Sequence, residues 1–230
     1  MTWWILAMPP ALRRVAHGGL LVMVLGAAFP ARLIAQWRVE AWFGDAWNLP
    51  TELTLKQQGE PDIHIDADWS TRPWSPTWYY SGRLAHWSGD AGWGAEYMHH
   101  KLYLDNLPQQ DVTHFRITNG VNHIIAQRLW RRRGWELSAG AGPTLVVPIT
   151  IVRGKRYGER KGVFGSRYEL GGATLHGSIA RRLKLIPYTY GSLTAKGTLS
   201  YLDVPIAGGR ATTMNYALHL QYGLSLQSRP

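Results

Sequence analysis

The strongest constraint on the fold is the segment 216–226, in which large apolar residues alternate without a break with small or polar ones. The large members are Tyr216, Leu218, Leu220, Tyr222, Leu224 and Leu226. This period of two describes a β-strand with one apolar and one polar face. Similar segments recur along the chain, with aromatic residues at their ends and few charges among the apolar positions. The repeat predicts a transmembrane β-barrel, whose large side chains face lipid while the others face the lumen.

The N-terminal stretch has the pattern of a secretory signal peptide. A basic region around Arg13 and Arg14 precedes an apolar stretch over 18–29, which is too short to span a bilayer as a helix. Small residues follow, with candidate cleavage after Ala31 or Ala35. We therefore predict a signal peptide over 1–35 and an outer-membrane barrel domain over 36–230. An N-terminal membrane anchor is the alternative.

Composition and charge fit a barrel in the cell outer membrane. The 230 residues include no cysteine, 12 tryptophans and 11 tyrosines, which excludes disulfides and thiolate metal sites. Without the three arginines of 1–35, 22 of the 25 Lys and Arg residues remain against 15 acids, a net charge of +7. Because these bases are spread through the strands and loops, we expect outer-membrane lipid and lipopolysaccharide phosphate, rather than nucleic acid, as partners.

Eight strands are predicted, and an even number lets the barrel close with no unpaired edge in lipid. Their ranges are 36–47, 78–88, 92–104, 119–131, 134–152, 167–183, 185–204 and 211–227. Tight turns are expected at 88–91, 132–134 and 183–184, and longer connections at 48–77, 105–118 and 154–166. The pattern predicts an all-β fold, namely an eight-stranded antiparallel up-and-down transmembrane β-barrel with short periplasmic turns and longer extracellular loops.

The first long connection contains two further strand signals, 53–57 and 63–68, on either side of a Gln-Gly-Glu-Pro turn. Prolines and aspartates in this region argue against strands that face lipid. We expect a hairpin that stands above the membrane, and a ten-stranded barrel is the alternative.

Aromatic residues are concentrated where strands meet turns, which predicts two interfacial girdles. Trp93, Trp130 and Trp135 are expected on the periplasmic side. The opposite girdle is expected to contain Trp74, Trp78, Tyr79 and Tyr103.

Ionisable residues on the other parity predict a polar lumen. A turn near Asp90 places Arg83 opposite Glu96, and we expect the two to contact each other, because Arg on the lipid face costs about 2–4 kcal/mol at mid-depth. A turn near Lys184 places His176 opposite Ser192. The predicted lumen network consists of Arg83, Glu96, His176 and Lys196, with His219 contributed by the last strand.

This network is expected to form a packed ionic plug, since eight strands enclose room only for side chains or one small ligand, which argues against a pore. The alternative is that some of these groups carry chemistry. The sequence contains no Gly-rich phosphate loop, HExxH motif, nucleophile elbow or nucleotide fingerprint.

Two segments are candidates for a site. In 96–103, His99 and Lys101 share the outward parity, where a basic pair could hold a lipid A phosphate unless a β-bulge turns it inward. Glu96 and His100 lie on the lumen parity, where they could bind a divalent metal or move a proton. The third loop carries the predicted lipopolysaccharide-binding residues Arg153, Lys155, Arg156, Arg160 and Lys161, and a solvated basic loop is the alternative.

Four stretches give the chain a resemblance to small OmpA-like outer-membrane barrels, and more narrowly to proteobacterial barrels related to rhizobial lipid A oxidase. They are Trp78-Tyr79-Tyr80-Ser81-Gly82-Arg83, Trp93-Gly94-Ala95-Glu96 with His99-His100-Lys101-Leu102-Tyr103, Ala139-Gly140-Ala141-Gly142-Pro143, and His219-Leu220-Gln221-Tyr222-Gly223-Leu224-Ser225. The narrower resemblance implies an oxidase that uses dioxygen and a divalent metal on lipid A. Its matched catalytic positions would be Glu96, His99, Lys101 and His219.

The chain departs from these barrels at its C-terminus, where Gln227-Ser228-Arg229-Pro230 replaces the usual terminal aromatic residue. That departure affects recognition by the outer-membrane assembly machinery, or moves the signal to Leu226. Lipid A deacylase and palmitoyltransferase barrels fit less well, because no matching His-Ser signature is present.

The sequence therefore predicts a monomeric structural or lipopolysaccharide-interacting barrel, with a lipid A-modifying enzyme as the alternative. A soluble lipocalin-like barrel would require the large parity inside and the charges outside.

Overall fold

The computed structural model describes residues 37–108, 110–158 and 168–227. The predicted signal peptide, Arg160 and Lys161 lie outside these ranges. No helix among the described residues is long and apolar enough to cross a bilayer.

Twelve strands make up the regular structure of these residues. They are β1 (Trp37–Asn48), β2 (Thr51–Gln57), β3 (Ile63–Ala67), β4 (Trp69–Ser70), β5 (Tyr80–Ser88), β6 (Ala91–Leu104), β7 (Val112–Arg132), β8 (Trp135–Val152), β9 (Lys155–Tyr157), β10 (Glu169–Ile186), β11 (Thr189–Ile206) and β12 (Gly209–Gln227). Eight of them, β1, β5, β6, β7, β8, β10, β11 and β12, pair in this order with antiparallel neighbours.

The barrel closes between its first and last strands. Strand β1 pairs with β12 from Arg38 opposite Gln227 to Asn48 opposite Ala217, and its other edge pairs with β5. This closure confirms the predicted eight-stranded antiparallel barrel. The turns 89–90, 133–134 and 187–188 lie at one end, here called the turn end, and the longer connections lie at the other, the loop end.

One turn differs from its predicted position. The β10–β11 hairpin turns at Pro187–Tyr188 and not at 183–184, so that His176 faces Thr198 and not Ser192. Proline favours turns because its φ is already fixed, and Tyr188 takes the positive φ of 66° that completes this one. The partner of His176 moves by six positions, an even number, so the lumen-facing parity of the strand is preserved.

The two faces of the barrel have opposite character. Large apolar side chains are exposed in a belt on the outside, including Phe43, Leu84, Ile124, Leu137, Leu175, Leu193, Leu218, Leu220, Tyr222 and Leu224. The charged and polar residues between them are buried inside. This inverted surface suits the hydrocarbon of a bilayer and is that of a membrane-spanning barrel of the cell outer membrane. The lipocalin-like alternative, which needs the large parity inside, is wrong.

A separate hairpin covers the loop end of the lumen. Strand β2 pairs with the upper part of β12, and β3 pairs with β2, as predicted for a hairpin above the membrane. Its Leu53, Leu55 and Ile65 join one buried apolar cluster with residues of β6, β7, β8 and β11. Because β1 already closes on β12, this hairpin does not enter the barrel wall, and the ten-stranded alternative is wrong.

Candidate functional site

The turn end of the lumen is filled by a network of buried ions. Arg38 makes a bidentate contact with Glu136, with Nη–Oε distances of 2.8 and 2.6 Å, and its Nε lies 3.1 Å from Glu40. Arg131 and Arg182 approach the same Glu136 carboxylate at 3.1 and 3.4 Å. Buried charges persist when each is paired and hydrogen-bonded, as these are. Sequence reasoning placed Glu136 in the lumen through the parity of the fifth predicted strand. It missed Arg38 and Glu40, although inward parity on the first predicted strand would have found them.

The middle of the lumen contains the predicted network. Lys196 pairs with Glu96, whose other oxygen accepts a hydrogen bond of 2.9 Å from Gln127. His176 is hydrogen-bonded to the same Gln127 at 3.0 Å. The predicted register of Arg83 opposite Glu96 is confirmed, whereas the ion pair of Arg83 is made with Glu40 at 2.6 Å. The amide of Gln127 connects the two pairs.

Above this layer lies a group of histidines bonded to hydroxyl groups. His219 is hydrogen-bonded to the Tyr79 hydroxyl at 3.0 Å and to Thr198 at 2.9 Å. The ring centroid of His100 lies 5.1 Å from that of His219, and its Nε2 is 3.1 Å from Thr71. These rings fill the space between the ionic layers and the apolar cluster of the loop end.

A cavity of about 10 Å³ lies among the ionic layers, with Trp42, Arg83, Glu96, Glu136 and Lys196 in its wall. That volume is room for about one water molecule.

The four candidate catalytic residues do not form one site. Glu96 and His219 face the lumen. Lys196 is bonded to Glu96 and lies directly opposite His219 on the neighbouring strand. His99 and Lys101 lie on the opposite, outward parity of β6. The predicted set is therefore divided between the two faces of the barrel wall.

His99 and Lys101 are also not open to lipid, as the outward parity had suggested. Between β4 and β5 the chain leaves the sheet, and this 71–79 segment covers both side chains. His99 is hydrogen-bonded to Thr77 at 3.1 Å and to Asn122 at 2.8 Å. The expectation of an exposed basic pair on β6 is wrong, because a segment without strand periodicity covers it.

Lys101 ties that segment to the wall. Its ammonium group donates to the carbonyl oxygens of Arg72 and Ser75 at 2.7 and 2.8 Å and to the Ser75 hydroxyl at 2.9 Å. All three protons of the group are thereby used, which leaves none for a phosphate.

The implied divalent metal does not fit these residues. Within the described ranges, no three His, Asp or Glu side chains are grouped as metal ligands. The Lys196 ammonium, which bonds to Glu96 and faces His219, would place a positive charge beside any cation bound there.

The predicted lipopolysaccharide residues of the third loop have different environments. Arg153 is held against the β2–β3 hairpin by Gln57 at 3.2 Å and the Pro61 carbonyl at 2.8 Å. Lys155 lies 3.8 Å from Glu60, whereas Arg156 is exposed.

Sequence reasoning missed Arg116 and His114, which lie beside Arg156 on the outer face of β7. Arg116 pairs with Ile149, and His114 with Ile151, the residue that faces Arg156. Both lie in the predicted connection 105–118, whereas β7 already begins at Val112, so no predicted strand parity applied to them.

No protein-family model and no curated protein sequence matches the chain. Among solved structures, Ail of Yersinia pestis is 9% identical, with 83% of this chain and 99% of that one covered at a TM-score of 0.40.

Two further solved structures are similar in the same way. The outer membrane protein AlkL is 11% identical, with 84% and 89% covered and a TM-score of 0.48. OprG of Pseudomonas aeruginosa, also an outer membrane protein, is 9% identical, with 84% and 97% covered and a TM-score of 0.38. At these identities the likeness concerns the fold alone.

Proposed function

We propose that this protein is a monomeric structural barrel of the outer membrane with a sealed lumen, and that its extracellular end interacts with lipopolysaccharide. The main support for this proposal is the way side chains fill the lumen. Ion pairs lie at the turn end, histidines and hydroxyl groups lie above them, and an apolar cluster lies at the loop end. A pore needs continuous space for its solute, and the cavity of about 10 Å³ offers room for one water. The lumen therefore supports the wall instead of passing a substrate.

The lipopolysaccharide interaction is proposed for the outer face of the loop end. Arg116 lies directly opposite Tyr103, a residue of the predicted aromatic girdle. The positive charges of Arg116 and Arg156 both lie near His114, which pairs with Ile151, the residue that faces Arg156. The Arg116 Nε is buried without a hydrogen-bond partner in the described part of the chain. Arginine suits phosphate because its planar group donates two parallel hydrogen bonds. A phosphate of lipid A at girdle height would bind the part of the Arg116 side chain that remains exposed.

Binding of purified protein to lipopolysaccharide in detergent tests this proposal. Removing both charges with Arg116→Gln and Arg156→Gln should weaken binding about thirtyfold, since each basic group near such a surface contributes on the order of 1 kcal/mol. Lipopolysaccharide stripped of its lipid A phosphates should bind the wild type as weakly. The matched control is Arg210→Gln, also at the loop end, where the guanidinium is already bonded to Asp203 at 2.6 Å. Equal weakening by the control would show that net charge, and not this site, governs binding.

The enzyme alternative has a separate test. An oxidase would add the mass of one oxygen atom to lipid A in cells that make the protein, and His219→Ala would abolish that change. We propose no catalytic step, because Glu96 and His219 face a sealed lumen and His99 lies on the other side of the wall. Identical lipid A mass spectra with and without the protein, under aerobic growth with divalent metal, would leave the structural proposal in place.

Assembly of the barrel is proposed to use the outer-membrane assembly machinery. Leu226 is the last large apolar residue on the outward face of β12, and its side chain is exposed. It is therefore the position at which we propose that this machinery recognises β12.

A further inference from the structure

A second surface site lies at the turn end of the barrel, on the outer face of β6, β7 and β8. A cleft of about 500 Å³ opens there, and Asp90, Ala91, Trp130, Arg132 and Leu137 contribute to its wall. Ala91 lies opposite Trp130, and Trp130 lies opposite Leu137, so these three outward side chains form one row across the strands. The cleft thus combines an apolar floor with polar groups at the rim.

Two free guanidinium groups flank this cleft. Arg132 is part of its rim, and Arg128 precedes Trp130 by two residues on the same outward face, opposite Trp93. Both side chains are exposed, and among the described residues neither has an ion-pair partner or a side-chain hydrogen bond. Arg131 between them turns into the lumen to Glu136.

The charge of Arg128 lies on the lipid face, where an anion beside it would lower its energetic cost. Two strand residues span about 6–7 Å, so Arg128 lies that much nearer the middle of the membrane than the indole of Trp130, which belongs to the predicted girdle. An arginine on the lipid face is costly unless it reaches the headgroup layer or a phosphate. In the wall of the cleft, Asp90 is the one acidic residue, against Arg131 and Arg132. Arg128 lies beside the cleft, two residues before Trp130 on the same outward face.

We propose that this cleft binds the headgroup of an anionic phospholipid of the periplasmic leaflet, with the phosphate between Arg128 and Arg132. The short turns of outer-membrane barrels lie in the periplasm, which places the cleft at the phospholipid leaflet and away from lipopolysaccharide. Basic pockets at membrane interfaces recognise anionic headgroups in this way. Trp130 and Leu137 lie against the glycerol and the first acyl carbons.

The wall beyond Arg128 leaves room for an acyl chain. Ala95, Ala126 and Ala141 lie side by side in the next row toward the middle of the membrane, and all three are exposed. Because these side chains are small, the outer surface is recessed here. An acyl chain attached to the bound headgroup would lie in this recess.

Native mass spectrometry of the full barrel released from mixed micelles tests the site. With phosphatidylglycerol and phosphatidylethanolamine at equal concentration, we expect the wild type to retain the anionic lipid with about tenfold preference, as two guanidinium groups would provide. The double variant Arg128→Gln, Arg132→Gln should lose this preference. Arg133→Gln removes one positive charge from the exposed turn outside the cleft, as Arg132→Gln does in its wall, and should keep the preference.

Two results would overturn the proposal, namely a wild type that retains both lipids equally, or a control that loses the preference as fully as the double variant. If the double variant assembles poorly, Arg132→Gln alone can be tested, because Arg132 lies at the exposed end of β7. It should lower the preference about threefold. The outcome is independent of lipopolysaccharide binding, which concerns the other end of the barrel.

Discussion

Arg83 on β5 lies directly opposite Glu96 on β6, yet its guanidinium Nε donates to Glu40 on β1, 2.6 Å away. Gln127 connects the two charges, since it accepts from Arg83 at 3.4 Å and donates to Glu96 at 2.9 Å. The middle of the lumen therefore contains two ion pairs joined by an amide, and Lys196 is the partner of Glu96.

The coupling free energy of Arg83 should be larger with Glu40, which its side chain contacts, than with Glu96, which only lies opposite it in the strand register. In double-mutant cycles with Arg83→Met, we expect a coupling of about 1–3 kcal/mol with Glu40→Gln, and a smaller one with Glu96→Gln. Urea unfolding of the barrel in detergent measures both cycles. Equal couplings would indicate that Arg83 is shared between the two carboxylates.

Breaking the other pair should be costly because the remaining charge is buried. Lys196→Met leaves Glu96 without its ammonium partner and should destabilise the barrel by about 3–5 kcal/mol. Adding Glu96→Gln should recover part of this loss, so that the double variant is more stable than the sum of the single effects. Strictly additive free energies of unfolding would contradict the pair.

Much of the barrel was predictable because period-two alternation and short turns determine strands, faces and register together. The hairpin at 89–90 illustrates this, since its turn alone places Arg83 opposite Glu96. The pairing of β1 with β5 joins segments separated by the whole hairpin region, so the approach of Glu40 to Arg83 had no local signal.

The candidate site was harder to predict than the wall. Parity correctly assigned His99 and Lys101 to the outer face, but parity carries no information on what covers a face. The covering 71–79 segment has no regular periodicity. The hydrogen bonds that His99 and Lys101 make to it, at Thr77, Arg72 and Ser75, therefore appear only in three dimensions.

The membrane register can be tested with two arginines on one strand. Leu220 is exposed in the middle of the apolar belt, and Leu220→Arg should cost about 2–4 kcal/mol and impair assembly. Thr212→Arg is the matched control, because Thr212 has the same parity on β12 but lies where the strand pairs with β2 above the belt. Heat-modifiable gel migration of membrane fractions would show the difference. Gln221 is a poor control, since it is buried and donates to Tyr79 and Ser81.

The extracellular hairpin should depend weakly on pH. The hydrogen bond from His64, 2.9 Å away, holds the pKa of Glu52 below its usual value of 4.5. A lowered carboxyl pKa contributes stability that is present above the usual pKa and is lost as the pH falls through the lowered one. The protection factors of the β2 and β3 amides, which correct for the pH dependence of intrinsic exchange, should therefore fall below about pH 4.5, and Glu52→Gln should remove that dependence. The effect should be small, because both side chains are exposed.

A variant of Lys101 can show whether this residue anchors the 71–79 segment or binds lipid A phosphate. Lys101→Met removes three hydrogen bonds to the 71–79 segment, and hydrogen bonds to a charged group contribute about 1.5–3 kcal/mol each. Amide exchange measured by mass spectrometry should then rise at least about tenfold over 71–79 while β10–β12 remain protected. Lys56→Met is the control, since Lys56 is exposed and has only a surface contact of 3.3 Å with Asp62. If Lys101 instead served lipid A phosphate, the variant would lose lipopolysaccharide affinity with unchanged exchange, and the 71–79 segment would need another anchor.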